Sequence, residues 1–255
     1  MRISNLKLGI GIPNNFPMVP SAFFDSFICM EKPDFVFLRS SFGPIDEMRN
    51  NIVRDALLQG CTHLILMDTD QVYPVDTITR LLSHRLPVVG CLLFRRYPPF
   101  DPLMLRGEVT KYSTVTEWKE GDLVEVDATG TGCVLYDTEV FTRIPDPWFR
   151  FRQTVEGGEI GEDIGFCHDL KKAGYKIYVD TGIKVGHLTK MVVDKATWEL
   201  YRLGEELAKR QKEKVAAPRE NKTPNHSHGI EYATVKAELP YEATISTERR
   251  MAGDY

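Results

Sequence analysis

Between Lys7 and Phe94, short apolar runs alternate with stretches whose apolar residues recur at helical spacing. Lys7–Ile12 (KLGIGI) reads as a strand that Pro13-Asn14-Asn15 ends, and Phe35–Arg39 (FVFLR) as a second strand closed by Ser40-Ser41-Phe42-Gly43-Pro44. Ile45, Met48, Ile52, Ala56 and Gln59 then share one helical face. Asp46 and Glu47 suit the positive end of that helix, and Gly60 stops it. His63–Met67 (HLILM) is apolar on both sides, as a strand buried on both faces must be. Val75–Ser83 has helical character and Pro87–Phe94 is a fourth strand. This alternation predicts a mainly parallel sheet covered by helices, an α/β class.

The pattern changes after Phe94. Tyr97-Pro98-Pro99-Phe100-Asp101-Pro102 excludes regular structure. Leu103–Leu105, Thr114–Trp118, Leu123–Ala128 and Cys133–Tyr136 read as strands of a small antiparallel section beyond the parallel half. Gly161–Ala173 is a second helix stopped by Gly174, followed by short strands at Tyr175–Val179 and Lys184–Val185. Asp194–Lys214 carries Trp198, Tyr201, Leu203 and Leu207 among charges and reads as a surface helix. From Ala216 onward the chain is polar and turn-rich, and is expected to be extended or partly disordered.

Composition narrows the function classes. With 255 residues, 42% of them hydrophobic, the chain can bury a substantial core, and a net charge of −4 gives no global basic field for nucleic acid. No apolar run approaches the roughly 20 residues needed to cross a bilayer. The N-terminal stretch lacks the apolar segment of a secretory signal, so the expectation is a cytoplasmic protein. The five cysteines are widely spaced with no C-x-x-C pair, which argues for buried thiols rather than a zinc site or disulfide framework.

The candidate chemistry begins at Leu64-Ile65-Leu66-Met67-Asp68-Thr69-Asp70. A buried strand delivers two carboxylates to its C-terminal end, where ligands collect in open α/β sheets. If the strand continues, alternation points Asp68 and Asp70 to one side, toward one hard divalent cation or one polar ligand. Taken alone, the same residues serve equally as a strand-ending turn. The wider run RNNIVRDALLQGCTHLILMDTD resembles the family 2 glycosyltransferases, in which a helix beginning Arg-Asn precedes a strand ending in a D-x-D motif. The resemblance implies that Arg49 lies near a nucleotide-sugar donor (a UDP- or GDP-sugar), that Asp68 contacts the nucleotide, and that Asp70 binds Mn²⁺ or Mg²⁺, with Asp68 a further candidate ligand. Pro13 and Asn14 after the first strand, Ser40 after the second, and Gly132 in Thr129-Gly130-Thr131-Gly132-Cys133 complete the implied donor-binding set; a plain β-bulge explains the last segment equally well.

A second signal is GEDIGFCHDLKKAGYKIYVDTGIKVGHL. Acidic residues at a helix start are explained by the helix dipole alone. In this order, however, the segment resembles the Glu-Asp motif of the same enzymes. That implies Glu162 and Asp163 as catalytic residues, with Asp163 the base that deprotonates the acceptor hydroxyl in an inverting reaction. The resemblance also implies His187 as a further metal ligand, and neutral imidazole accepts Mn²⁺ more readily than Mg²⁺. His168, Asp169 and Asp180 are assigned to structure. Trp148, in Pro147-Trp148-Phe149, is either a platform for a sugar or part of the core.

The resemblance spans about Leu6 to Leu188 and extends to small stand-alone glycosyltransferases of phage and archaeal genomes, through THLILMDTDQVYPVDTITRLL and VVGCLLFRR. It implies a GT-A domain, a Rossmann-like nucleotide-diphospho-sugar transferase fold, over 1–190; the residue pattern adds a C-terminal helix over 191–215 and the tail over 216–255. The acceptor is left open among a glycan, a small molecule and a modified DNA base. The competing readings are a nucleotidylyltransferase, a two-metal phosphoesterase or nuclease, and an inactive sugar-nucleotide-binding module. The segment Gly11-Ile12-Pro13-Asn14-Asn15-Phe16 lacks the Gly-rich loop with Arg and Lys that the first of these carries.

Overall fold

A computed structural model of the chain describes residues 6–109, 111–153, 158–191 and 193–216. The chain divides into two compact units, Met1–Met191 and Val192–Tyr255. The first runs β1 (Leu8–Pro13), α1 (Ser21–Cys29), β2 (Phe35–Ser40), α2 (Ile45–Leu58), β3 (His63–Met67), β4 (Gln71–Val72), α3 (Thr77–Ser83) and β5 (Val88–Leu92). It continues with β6 (Met104–Arg106), β7 (Ser113–Thr114), β8 (Leu123–Val126), β9 (Ala128–Thr129), β10 (Cys133–Asp137) and α4 (Glu139–Arg143). It closes with β11 (Arg152–Gln153), β12 (Glu159–Ile160), α5 (Glu162–Lys172), β13 (Ile177–Lys184) and β14 (Gly186–His187). In the second unit the described residues form one amphipathic helix, α6 (Lys195–Ala216), with Trp198, Leu200, Tyr201, Leu203 and Leu207 exposed. The tail expected from 216 lies, from 217 on, outside the described residues.

A seven-stranded sheet in the order β2-β1-β3-β10-β5-β13-β8 forms the middle layer. The β1–β2, β1–β3 and β5–β13 pairs are parallel. Strand β10 runs against both its neighbours, β3 and β5, and β8 runs against β13. The fold class is therefore α/β with a mainly parallel central sheet, smaller antiparallel sheets and a C-terminal helix. Side-chain alternation along β3 builds the two faces. Leu64 and Leu66 join a core with Ile52, Val53 and Ala56 of α2 and Phe166, Cys167 and Leu170 of α5. Ile65 and Met67 join the opposite core, with Phe23 of α1 and Ile78, Leu81 and Leu82 of α3. No helix among the described residues is long and apolar enough to cross a membrane.

Several expectations change. Cys133–Tyr136 belongs to the centre of the main sheet as β10, and Leu123–Val126 to its edge as β8. Only β6, β7 and β9 make the separate three-stranded antiparallel piece. The strand expected over Thr114–Trp118 ends at Thr114. Helix α1 escapes the periodic reading because Phe23, Phe24, Phe27, Ile28 and Cys29 put apolar groups all round it, with no acidic residue in its first turn. The pair of short strands expected after α5 is one strand, β13, irregular between Asp180 and Lys184. Trp148 is 4% exposed, and its Nε1–H donates toward the carbonyls of Phe141 and Ile144, so it is core and not a sugar platform. Cys61, Cys91, Cys133 and Cys167 are buried free thiols, and Cys29 is exposed.

Candidate active site

Close packing of α2 on β1 sets the position of the first candidate residue, Arg49. A β-carbon on Gly11 would strike Ile52 and, at 2.8 Å, Leu66, so glycine there lets the helix lie against the sheet. Arg49, about one turn before Ile52, is thereby held at the C-terminal ends of the central strands, with its side chain only 5% exposed. One of its terminal nitrogens donates to both oxygens of Asp68, at 3.0 and 3.1 Å, and the other donates to Glu162. The guanidinium also stands 5.9 Å from the centroid of the Phe149 ring. Its neighbour Asn50 reaches the backbone of the same loop. The Asn50 Nδ2–H donates to the Phe149 carbonyl and its Oδ1 accepts from the amides of Trp148 and Phe149, which fixes the loop leading toward α5.

The strand ends at Met67, one residue before the acidic pair, and the chain turns through Thr69 and Asp70 into β4. Asp68 is fixed by its own amide, which donates to the Gly132 carbonyl at 3.0 Å. The buried Tyr73 hydroxyl lies 2.7 Å from the Asp68 carbonyl and 2.9 Å from that of Gly132. Because the strand does not continue, the two carboxylates part company. Asp68 faces Arg49, whereas Asp70 faces Arg96 and His187. Pairing of β14 with β4 and the Leu188 amide on the Asp70 carbonyl (2.8 Å) hold His187 opposite Asp70. His187 Nε2 is 3.5 Å from Asp70 Oδ2. His187 Nδ1 lies 2.8 Å from the Phe94 carbonyl, which can only accept, so the proton is on Nδ1 and Nε2 keeps a lone pair when the ring is neutral.

Arg49, Asp68, Asp70 and Arg96 line a cleft of about 800 Å³ together with Pro13, Asn14 and Lys190, whereas His187, Glu162 and Asp163 stand outside its lining. Asn14 shapes its wall, for its Oδ1 accepts from the Phe16 amide and its own amide donates to the Ser40 carbonyl. Ser40 and Gly132 stand behind that lining, Ser40 through this backbone contact and Gly132 packed against the Gln71 side chain. The glycine that approaches the carboxylates is Gly130, whose β-position is 3.7 Å from Asp163 Oδ2; the surrounding Thr-Gly-Thr-Gly repeat gave no means of choosing between them. Gly161 precedes α5 without a side-chain cap, and Glu162 and Asp163 occupy its first turn. Glu162 is buried and pairs with Arg49. Asp163 Oδ1 accepts from the Ile164 amide at 2.7 Å. Arg96 is the charged cleft residue that motif reasoning missed. It lies in an irregular proline-rich stretch, and only the fold brings it to Asp70.

Burial and charge compete in this site. Burial raises the Asp163 carboxyl above the usual aspartate range, because the nearby Arg49 offsets the desolvation only in part and Asp68 adds to the rise. Burial likewise pushes Glu162 up against the pull of Arg49. Burial disfavours the Arg49 charge, yet Asp68, Glu162 and Asp163 outweigh it and hold the guanidinium protonated. Arg49 is thus the shared counter-charge of Asp68, Glu162 and Asp163. His168, Asp169 and Asp180 lie elsewhere: Asp169 pairs with Arg152 and Arg150, and Asp180 with Arg80 and His84.

No protein-family model and no curated protein matches the sequence. Among solved structures, the chain is similar to A197 from STIV, at 16% identity over 74% of this chain and 87% of that one, with a TM-score of 0.49. It is also similar to S. aureus TarS 1–349 in complex with UDP-GlcNAc, at 14% identity over 78% of this chain with a TM-score of 0.47. A further TarS 1–349 structure matches at 10% identity over 72% of this chain, with a TM-score of 0.45. The chain spans 65% and 60% of the two TarS chains. At these values the likeness concerns the course of the backbone alone.

Proposed function

We infer that the protein is a glycosyltransferase of the GT-A type that moves a sugar from a nucleotide-sugar donor onto an acceptor hydroxyl, aided by Mn²⁺ or Mg²⁺. The observation that carries this reading is that Asp68 and Asp70 line one cleft but face different partners, Arg49 on one side and Arg96 with His187 on the other. Asp68, fixed by Arg49 and by its backbone, presents a constrained polar edge suited to the sugar–base end of a nucleotide. Asp70 Oδ2 and His187 Nε2 are two acceptors facing each other, and the ring is oriented by an Nδ1–H given to a backbone carbonyl, as metal-bearing histidines usually are. This pair would hold a hard divalent cation together with oxygens of the donor's diphosphate. A cation bound there would neutralise the charge that develops on a departing nucleoside diphosphate.

The chain's own residues supply the rest. Arg49 keeps Asp68 and Glu162 paired, so that their charges do not repel the donor. Asp163, with its proton affinity raised by burial, takes the proton of the acceptor hydroxyl as the sugar is transferred, in an inverting sense. A two-metal phosphoesterase would need a second cation between Asp68 and Glu162, and the Arg49 guanidinium fills that position.

The test is incubation with a panel of UDP- and GDP-sugars and Mn²⁺, followed by mass spectrometry of free sugar and nucleotide. Slow donor hydrolysis that needs the cation is the expected result. Silence toward every donor, with hydrolysis of a generic phosphodiester instead, would replace this reading by the phosphoesterase one.

A further inference from the structure

Arg96 holds a place that the reaction scheme above does not use. Its guanidinium pairs with Asp70 Oδ2 through Nη2, and its Nε–H and Nη2 both lie 3.4 Å from His187 Nε2. These are the two acceptors that fit a divalent cation. The His187 ring is fixed by the Phe94 carbonyl and the Asp70 main chain by the Leu188 amide, whereas Arg96 is a long side chain, 42% exposed, at the start of the irregular 95–101 stretch. It also lines both the large cleft and a neighbouring one of about 380 Å³, which share Pro20, Asp70, Arg96 and Lys190 as their wall.

Resting on the reading of Asp70 and His187 as cation ligands, we propose that Arg96 is an exchangeable counter-cation, occupying their site in the unloaded protein and turning to the donor's diphosphate when a metal ion displaces it. The electrostatics follow from charge alone. A monovalent guanidinium and a divalent ion cannot share two acceptors a few ångströms apart without strong repulsion, so binding of the ion expels the arginine. Expulsion leaves a positive group at the wall of the cleft that holds the ion, and a diphosphate with many acceptor oxygens is the partner a guanidinium takes best there. The ion alone must therefore break an ion pair to bind. The ion with nucleotide recovers one.

This exchange predicts effects of opposite sign from a single substitution. Titrated with Mn²⁺ alone, by calorimetry or by the paramagnetic signal of the free ion, Arg96→Gln should bind at least about threefold more tightly than wild type. Titrated with UDP or GDP at saturating Mn²⁺, the same variant should bind at least about threefold more weakly. Arg95→Gln removes the same charge from the adjacent residue and should leave Mn²⁺ affinity within about twofold. Asp70→Asn should abolish Mn²⁺ binding whatever stands at position 96. Equal Mn²⁺ affinity in Arg96→Gln and wild type, with Asp70 still required, overturns the exchange but leaves the cation site standing. Equal tightening by Arg95→Gln overturns it too, by reducing the effect to general charge. If no protein binds Mn²⁺, both the exchange and the cation reading fall.

Discussion

One nitrogen of Arg49 donates to both carboxylate oxygens of Asp68, while its other terminal nitrogen donates to the buried Glu162. The arginine therefore ties the strand that ends in the acidic motif to the helix that carries the second one. Removing one partner of such a buried set leaves charge without compensation, which costs about 3–5 kcal/mol. Arg49→Met should lower unfolding free energy by about that amount in urea titrations. Adding Glu162→Gln to Arg49→Met should cost less than the sum of the two single changes. Simple additivity would mean that Arg49 and Glu162 are not coupled energetically.

The next residue, Asn50, makes a prediction of a different kind. Its side chain satisfies two backbone amides and one carbonyl in the loop of Trp148 and Phe149. An unsatisfied buried group costs about 1–3 kcal/mol, so Asn50→Ala should destabilise by at least about 2 kcal/mol, whereas the exposed Asn51→Ala should stay within about 1 kcal/mol. Comparable losses at both positions in thermal denaturation would contradict this assignment.

These two neighbours show what the sequence could and could not disclose. Apolar alternation at His63–Met67 and helical spacing at Ile45–Gln59 were legible because each reflects burial on a face, which is a local property. The placing of β10 in the middle of the main sheet was not, since a five-residue apolar strand carries no mark of its neighbours or its direction. The acidic motif was legible as chemistry, but its geometry depended on where the strand stops. Strand β3 ends at Met67, so alternation does not govern Asp68 and Asp70, and the fold sends them to different partners. Nothing in RRYPPFD announces that Arg96 meets Asp70 and His187, because that contact is made across three separate segments of the chain.

The split between Asp68 and Asp70 separates metal binding from folding. Asp70 is partly exposed and its partners Arg96 and His187 stand at the cleft, so Asp70→Ala should shift unfolding free energy by no more than about 1 kcal/mol. The same variant should lose Mn²⁺-dependent nucleotide-sugar binding in calorimetry, as wild type should in excess chelator. Undiminished donor binding by the variant in chelator would show that Asp70 holds no ion.

Asp163 permits the sharpest test, because chemistry and stability depend on its charge in opposite directions. Burial raises its carboxyl above the usual aspartate range, so the folded chain holds this proton more tightly than the unfolded chain does. The stability that Asp163 contributes is therefore fully present below the unfolded pKa and is lost as pH rises through the folded one. As a base the same carboxylate must be ionised, so kcat/KM should rise with pH over that window, with an acid limb displaced above an ordinary aspartate. Asp163→Asn keeps the shape and a hydrogen-bonding group beside the Ile164 amide but cannot take a proton. Transfer should fall by about a hundredfold or more, while the donor dissociation constant at saturating Mn²⁺ moves by less than about threefold. In parallel, unfolding free energy should lose part of its decline with rising pH. A residue that only stabilises the start of α5 would give the reverse pattern, a modest loss of melting temperature with transfer nearly intact. Near-normal turnover by Asp163→Asn at wild-type stability would move the base to another group.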